Sequence, residues 1–183
     1  DIVKKYPPYP IFKEERFAIG IGKSLKGLAA NYFLTGDFQQ AEKMLGEVLR
    51  QTDTAPRFRL DILGYMIFIT SHLGKMKQAD AYYEQARSLP ESNERIFKVW
   101  LKFNQGFRYG CSGDFKMACK LGEQILLISE ELNVYQLRAM IFHLIAWSCY
   151  YLGSFTKGIE YAEKGLQLIE GKGIYDSAQA WLL

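Results

Sequence analysis

Apolar residues recur along much of the chain at steps of three and four, the spacing that keeps one face of a helix in register. The clearest stripe occupies residues 155–169. Its members are Phe155, Gly158, Ile159, Ala162, Leu166 and Ile169. Charged side chains such as Lys157 and Glu160 fill the other face of this segment. The pattern predicts an amphipathic helix, and no stretch alternates with period two for long enough to predict a sheet.

Four short strings repeat along the sequence, each with a glycine, a polar residue and a large apolar residue. They are Gly36-Asp37-Phe38, Gly74-Lys75-Met76, Gly113-Asp114-Phe115 and Gly153-Ser154-Phe155, with glycines 38, 39 and 40 residues apart. Each glycine is predicted to end one helix in a left-handed turn. The Asp or Ser that follows is expected to cap the next helix, whereas Lys75 offers no such cap. The chain is therefore predicted to consist of repeated helix pairs.

The helical stretch before each glycine is more apolar than the one after it, and is apolar on more than one face. These stretches are Lys13–Leu34, Arg57–Leu73, Glu94–Cys111 and Val134–Leu152. A helix that meets water on one side needs a single apolar stripe, whereas a helix packed on both sides needs more. We therefore expect the first helix of each pair to be the inner one.

Helix pairs of this kind resemble tetratricopeptide repeats, whose pattern is W-x2-L-G-x2-Y followed by A-x3-F. The first unit reads Leu25-x2-Leu28-Ala29-x2-Tyr32, then Ala41-x3-Leu45. The third unit departs from the pattern, because Lys102 and Gln105 stand where the family has apolar side chains. The units also exceed the usual period of about 34. In this they look more like the sensor arms of bacterial MalT-like signalling ATPases and of LuxR-type transcription activators.

This resemblance implies an all-α fold, a right-handed superhelix of four antiparallel helix pairs plus the start of a fifth. Residues 1–13, with three prolines, are predicted to be an N-terminal linker. Residues 14–183 would form one solenoid, with units at about 14–53, 54–92, 93–132 and 133–172 and a partial unit at 173–183. The apolar segment Ile174–Leu183 reads as the opening helix of a fifth unit. We expect the natural protein to continue beyond it, and the isolated chain to self-associate through this end.

In tetratricopeptide superhelices the first helices form the concave surface. The resemblance places these residues there as candidate partner-binding positions: Lys23, Lys26, Phe33, Tyr65, Phe68, His72, Trp100, Phe103, Asn104, Phe107, His143, Trp147, Tyr150 and Tyr151. An exposed face this rich in aromatic rings is typical of a binding surface. If the superhelix closes more tightly, the same rings would pack on one another as core. Periodicity does not distinguish these two arrangements.

Composition and charge exclude several classes of protein. Hydrophobic residues make up 49% of the chain, which is enough for a packed core. The net charge of +3 gives no argument for direct nucleic-acid binding. The longest apolar run, Met140–Leu152, is shorter than the roughly 20 residues of a membrane span. Three cysteines, an odd number, predict a reducing compartment such as the cytoplasm and no disulfide framework.

No motif predicts catalysis, a metal or a cofactor. The string Gly22-Lys23-Ser24 resembles the end of a phosphate-binding loop, but Phe17 occupies the position of the loop's first glycine. Two histidines in different units give no zinc-binding spacing. All three cysteines have apolar neighbours and are interpreted as small core residues.

The sequence thus predicts a non-catalytic interaction or sensor module for a protein, a peptide or a small effector, belonging to a larger bacterial transcription regulator or signalling ATPase. The alternative is a structural spacer or oligomerisation arm without a ligand of its own. An inner face open to water would favour the sensor, and a face filled by its own rings would favour the spacer.

Overall fold

The computed structural model describes residues 26–29, 32, 35–51, 56–132 and 134–170. Residues 26–29 are helical. The following elements are α1 (Phe38–Gln51), α2 (Pro56–His72), α3 (Met76–Ser88), a 3-10 turn (Pro90–Asn93), α4 (Arg95–Cys111), α5 (Phe115–Glu131), α6 (Tyr135–Tyr151) and α7 (Phe155–Ile169). This part of the chain contains no β-strand, so the all-α prediction is confirmed. The predicted linker, the Gly22-Lys23-Ser24 string and the partial fifth unit lie outside the described residues.

The four repeated glycines end helices as predicted. Gly36, Gly74, Gly113 and Gly153 have φ angles of 81°, 71°, 88° and 73°. After α4, the amide of Asp114 donates back to the carbonyl of Tyr109 at 2.9 Å, the six-residue closure of a Schellman turn. The Asp114 carboxylate then caps α5 by accepting from the amide of Met117 at 3.1 Å. The predicted cap at Ser154 is wrong, because its hydroxyl makes no capping hydrogen bond to α7.

Three of the four predicted inner helices lie within the described residues, and all three are inner helices. Helices α2, α4 and α6 pack on one another as well as on their neighbours in the chain, whereas α1, α3, α5 and α7 pack mainly on the helices before and after them. In α2, ten of 17 residues are buried, from Leu60 to Ser71. A helix buried this thoroughly needs apolar side chains all round, which explains why α2 lacks a single stripe. Helix α4 differs, because its exposed Lys98 and Lys102 give it a polar flank.

The buried stripe of α7 is rotated from the predicted one. Gly158, Gly165 and Ile169 are buried, whereas Phe155 and Ile159 are exposed. The glycines determine this orientation, because a Cβ at Gly158 would lie 3.3 Å from the carbonyl oxygen of Ala146 in α6. Helix α7 therefore approaches α6 along its glycines, and the flank that carries Phe155 faces away.

The cysteines agree with their interpretation as core residues in two of three cases. Cys119 and Cys149 are buried with their Sγ atoms 4.0 Å apart. Burial, with the neighbouring Cys149 as a further cause, raises the pKa of Cys119 to about 12. Its thiol therefore stays protonated at neutral pH. Cys111 is half-buried and lines a cleft between the inner helices.

Candidate functional site: an aromatic cleft between the inner helices

A column of aromatic rings runs across the three inner helices. Phe68 in α2, Phe107 in α4 and Trp147 in α6 occupy equivalent positions of successive units, 39 and 40 residues apart. The Phe68 and Phe107 ring centroids are 3.9 Å apart, and those of Phe107 and Trp147 are 5.5 Å apart. We call these three side chains the ring column. Each ring contacts the ring of the next unit, so the column joins the units along the inner face.

Rings beside the column extend this surface. His72 lies among three phenylalanines, with centroid distances of 4.8 Å to Phe38, 5.1 Å to Phe68 and 4.9 Å to Phe107. At the other end, Tyr151 stacks on Phe115 at 4.4 Å. Phe115 also meets the Trp147 ring edge to face at 5.5 Å. The aromatic surface is therefore continuous from α1 to α6.

Two glycines make room for the tryptophans of the inner helices. A Cβ on Gly110 would lie 2.4 Å from Cζ3 of Trp147, and one on Gly64 would lie 2.0 Å from Nε1 of Trp100. Any side chain at either glycine would displace an indole ring. The indole of each tryptophan therefore rests directly on the backbone of the preceding inner helix.

Between α2, α4 and α6 the ring column borders an open cleft of about 430 Å³. We call it the aromatic cleft; its lining residues are Ser71, His72, Gly74, Phe107, Cys111, His143 and Trp147. No Asp, Glu, Lys or Arg is among the described residues that line it. The site is thus built of ring faces, two imidazoles, a hydroxyl and a thiol.

Two titratable groups of the cleft, His72 and Cys111, favour their uncharged forms. Loss of hydration lowers the pKa of His72, and a hydrogen bond with the backbone of Phe68 opposes this only partly. Burial raises the pKa of the Cys111 thiol to about 12. The Ser71 hydroxyl donates to the carbonyl of Ile67 at 2.7 Å. A ligand in the cleft would therefore meet a lining with little charge at neutral pH.

The predicted concave residues fall into a filled part and an open part. Phe68, Phe103 and Asn104 are buried, and Phe103 has no exposed surface. Here the rings pack as core, one of the two arrangements that the sequence left open. Tyr150 and Tyr151, at the end of α6, are 61% and 58% exposed. His143 and Trp147 are half-buried and line the cleft.

At the α2 end, the remaining predicted residues are held by contacts within the chain. The ammonium group of Lys26 pairs with the Asp61 carboxylate and lies 4.9 Å from the centre of the Tyr65 ring. Tyr65 packs against Trp100 with a centroid distance of 5.6 Å. The Lys26 charge is therefore neutralised by its own fold. Lys23 and Phe33 lie outside the described residues.

Sequence reasoning missed four residues that complete the aromatic surface and the cleft. Phe38 and Phe115 belong to the repeated glycine strings and were assigned to the outer helices only. Because each begins an outer helix directly after the turn, its ring folds back onto the inner face. Ser71 and Cys111 line the cleft. Two sequence positions could have indicated this: Ser71 is next to His72, and Cys111 is four residues after Phe107, on the same face of α4.

Two other kinds of feature, a membrane span and a metal site, are missing from the described part of the chain. No helix there is long and apolar enough to cross a membrane. No group of three or more His, Cys, Asp or Glu side chains in that part of the chain is arranged to hold a metal ion.

No protein-family model and no curated protein sequence matches this chain. Among solved structures, the chain is similar to a signal transduction ATPase with numerous domains from Pyrococcus horikoshii, PH0952, described as having a tetratricopeptide repeat sensor. The TM-score is 0.65 with 16% sequence identity. The match covers 91% of this chain but only 26% of that one. At this identity the similarity concerns the fold, and it confirms the resemblance to tetratricopeptide-repeat sensor arms at that level.

Proposed function

We propose that the chain is a non-catalytic sensor or interaction module that binds an uncharged, ring-shaped or apolar group in the aromatic cleft. The group would belong to a small effector or to a peptide side chain. The single observation that carries this proposal is an open cleft of about 430 Å³ lined by ring faces and no charged side chain.

The lining determines the class of ligand. A charged group entering the cleft would lose its hydration and find no opposite charge, which is unfavourable. An uncharged ring would bury apolar surface against Phe107 and Trp147 at a small cost in side-chain entropy, because aromatic side chains have few rotatable bonds. The imidazole groups and the Ser71 hydroxyl offer polar contacts at the edges.

Binding would be transmitted through the packing of the repeats. The cleft has walls from α2, α4 and α6, so one ligand contacts three successive units. Units of a solenoid contact mainly their neighbours, and small rotations between them add up along the array. A ligand that favours one arrangement of these units would shift the superhelical pitch toward it.

The similarity to a described sensor supports a role as the arm of a larger signalling protein, such as a bacterial transcription regulator or signalling ATPase. The spacer alternative requires an inner face filled by its own rings. The open cleft favours sensing over spacing in the α4–α6 part of the molecule.

Three ring-bearing probes of similar shape and different charge test this proposal: benzyl alcohol, benzylammonium and benzoate. We expect ligand-observed NMR to detect binding of benzyl alcohol and much weaker binding of both ions. Replacement of Cys111 by Leu would fill the cleft from one wall and abolish the benzyl alcohol signal. The matched control is Cys119→Leu, away from the cleft, with helical circular dichroism recorded for both variants. Equal binding of all three probes, or unchanged binding to a folded Cys111→Leu variant, would refute the proposal.

A further inference from the structure

A second cavity, of about 460 Å³, lies beside α4 away from the aromatic cleft. Its lining comes from α3, the 3-10 turn, α4 and α5. The lining residues are Tyr83, Arg87, Ser92, Asn93, Arg95, Lys98, Val99, Leu101, Lys102 and Ile128. Because a helix turns by about 100° per residue, Lys98 and Lys102 lie roughly 180° and 140° around α4 from Phe107. The two cavities therefore use different faces of the same helix.

The charged residues that line this cavity are all basic. Arg87, Arg95, Lys98 and Lys102 line it, and no Asp or Glu does so among the described residues. Arg87 pairs with Glu84 at 2.8 Å, and Arg95 pairs with Glu131, so these two charges are partly compensated. Lys98 and Lys102 form no ion pair with any residue that the structure describes. They stand four residues apart and thus project from the same side of α4.

Lys102 occupies a position that neighbouring units fill with an apolar side chain. The equivalent residues are Leu63 in α2 and Phe142 in α6, and both are buried. Lys102 is exposed instead. The third unit therefore has a cation and open space where the second and fourth units have core.

Lys98 also differs from its equivalents in the neighbouring units. Arg59 in α2 donates to the carbonyl of Leu49 at 3.1 Å, and Arg138 in α6 pairs with Glu130 at 3.3 Å. Those two cations bind acceptors of their own fold. In the third unit, Lys98 lines the cavity, and none of the described contacts gives its ammonium group an acceptor.

We propose that this cavity is a binding site for a small molecule that carries a phosphate group. Lys98 and Lys102, four residues apart on one helix face, are spaced to contact one phosphate group together. The two ammonium groups that are unpaired among the described residues, with the partly compensated Arg87 and Arg95 beside them, match the double charge of a phosphate better than the single charge of a carboxylate. Ile128 and the Tyr83 ring, both partly exposed, provide an apolar wall for an organic portion, and the volume is typical of a small-molecule pocket. This site is independent of the aromatic cleft.

Isothermal titration calorimetry of the whole 183-residue chain with inorganic pyrophosphate tests the site. We expect the double variant Lys98→Gln, Lys102→Gln to bind pyrophosphate at least about tenfold more weakly, because two charge-assisted contacts are lost. The matched control is Lys116→Gln, Lys120→Gln, which removes two exposed charges at the same spacing on α5, outside the cavity. The control variant should bind within about twofold of the unaltered chain, since distant exposed charges are screened by salt.

A further variant separates a built site from general attraction. Lys102→Leu restores the apolar residue of the neighbouring units and should weaken binding without lowering the thermal unfolding midpoint. If titration with pyrophosphate gives no heat of binding, the proposal is overturned. Equal weakening by the cavity and control pairs also overturns it, since net charge alone would then explain the affinity. Binding of a polyglutamate peptide without binding of pyrophosphate would assign the cavity to an acidic protein segment and reject a phosphate compound.

Discussion

Phe107 and Trp147 occupy equivalent positions on successive inner helices, yet Phe107 is 3% exposed and Trp147 remains half-buried. The difference comes from the ring that covers each one. Phe107 covers Phe68, and Trp147 covers Phe107 in turn. Among the described residues, Trp147 meets Phe115 and Tyr151 edge to face and stacks with His143 of its own helix, and no ring of a later unit lies over it. Within the described residues, the inner face is therefore core across α2 and α4 and partly open at α6.

This contrast shows that an aromatic residue on an inner helix has no fixed role. The same residue type at the same repeat position is structural where a ring of the next unit covers it, as at Phe68 and Phe107, and half-buried where no described ring of a later unit does, as at Trp147. The aromatic cleft lies beside Phe107 and Trp147, the last two members of the described column.

The largest expected effect is a difference in the free energy of unfolding between a substitution in the filled region and one at the open end of α6. Phe103→Ala should lower the free energy of unfolding by about 3–5 kcal/mol, because it empties a fully buried position. Tyr151→Ala removes a ring that is mostly exposed, stacked on Phe115 and in edge contact with Trp147, so we expect a loss of about 1 kcal/mol or less. Urea unfolding followed by circular dichroism measures both. Similar losses for the two variants would mean that the α6 end is as tightly packed as the rest.

The glycine under Trp147 provides the next test. Gly110→Ala forces the indole ring away, and we expect a loss of about 1–3 kcal/mol in the free energy of unfolding. Gly46→Ala is the control, since Gly46 lies within α1 and a Cβ there would meet nothing within 4 Å. This control should gain about 0.5–1 kcal/mol from helix propensity. A Gly110→Ala variant that is also more stable would contradict the close packing of the Trp147 indole on Gly110 of α4.

The turns of the two regions should differ by a smaller amount. Asp114 caps α5 with its carboxylate, so Asp114→Ala should cost about 1 kcal/mol. Ser154 makes no capping hydrogen bond at α7, so Ser154→Ala should change the free energy of unfolding by less than about 0.5 kcal/mol. Thermal unfolding of the two variants gives the comparison. A larger loss from Ser154→Ala would show a cap at α7 that the structure lacks.

The smallest effect is a pH dependence from His72. Its pKa is lowered in the fold, so the unfolded chain binds the proton more readily. With respect to His72, the free energy of unfolding is therefore at its full value above the ordinary histidine pKa of about 6.5. It declines as the pH falls through that value, because the unfolded chain takes up the proton first. Between pH 7.5 and pH 5.5 (roughly one unit on either side), the unaltered chain should lose more stability than a His72→Gln variant. Parallel profiles for the two proteins would contradict the assignment.

Much of the fold was predictable because it depends on local signals. Gly36, Gly74, Gly113 and Gly153 mark the helix ends, and the left-handed conformation that they adopt is a property of the residue itself. The inner helices α2 and α6 were recognisable by apolar residues on all their faces, whereas α4 carries a polar flank with Lys98 and Lys102. The orientation of α7 was not predictable from its stripe, because the stripe treats Phe155, Gly158 and Ile159 alike, whereas only Gly158 is buried, where a Cβ would meet α6.

The candidate site was predictable only in part. The position of an aromatic residue on an inner helix follows from the repeat, but its exposure depends on packing between units that are about 40 residues apart. Phe103 and Trp147 therefore look alike in sequence and differ in the structure. The departure of Lys102 from the repeat pattern was visible, whereas the cavity beside it depends on side chains from α3 and α5.

The most direct test of the central claim is the response of two indole resonances to benzyl alcohol in a proton–nitrogen NMR titration. Trp147 lines the aromatic cleft, whereas the Nε1 atom of Trp100 is buried against Gly64. Substitution of each tryptophan by Phe assigns the signals. We predict that the Trp147 indole resonance shifts on titration and that of Trp100 does not. Equal shifts of both signals, or a shift of Trp100 alone, would contradict the division of the inner face into a filled and an open region.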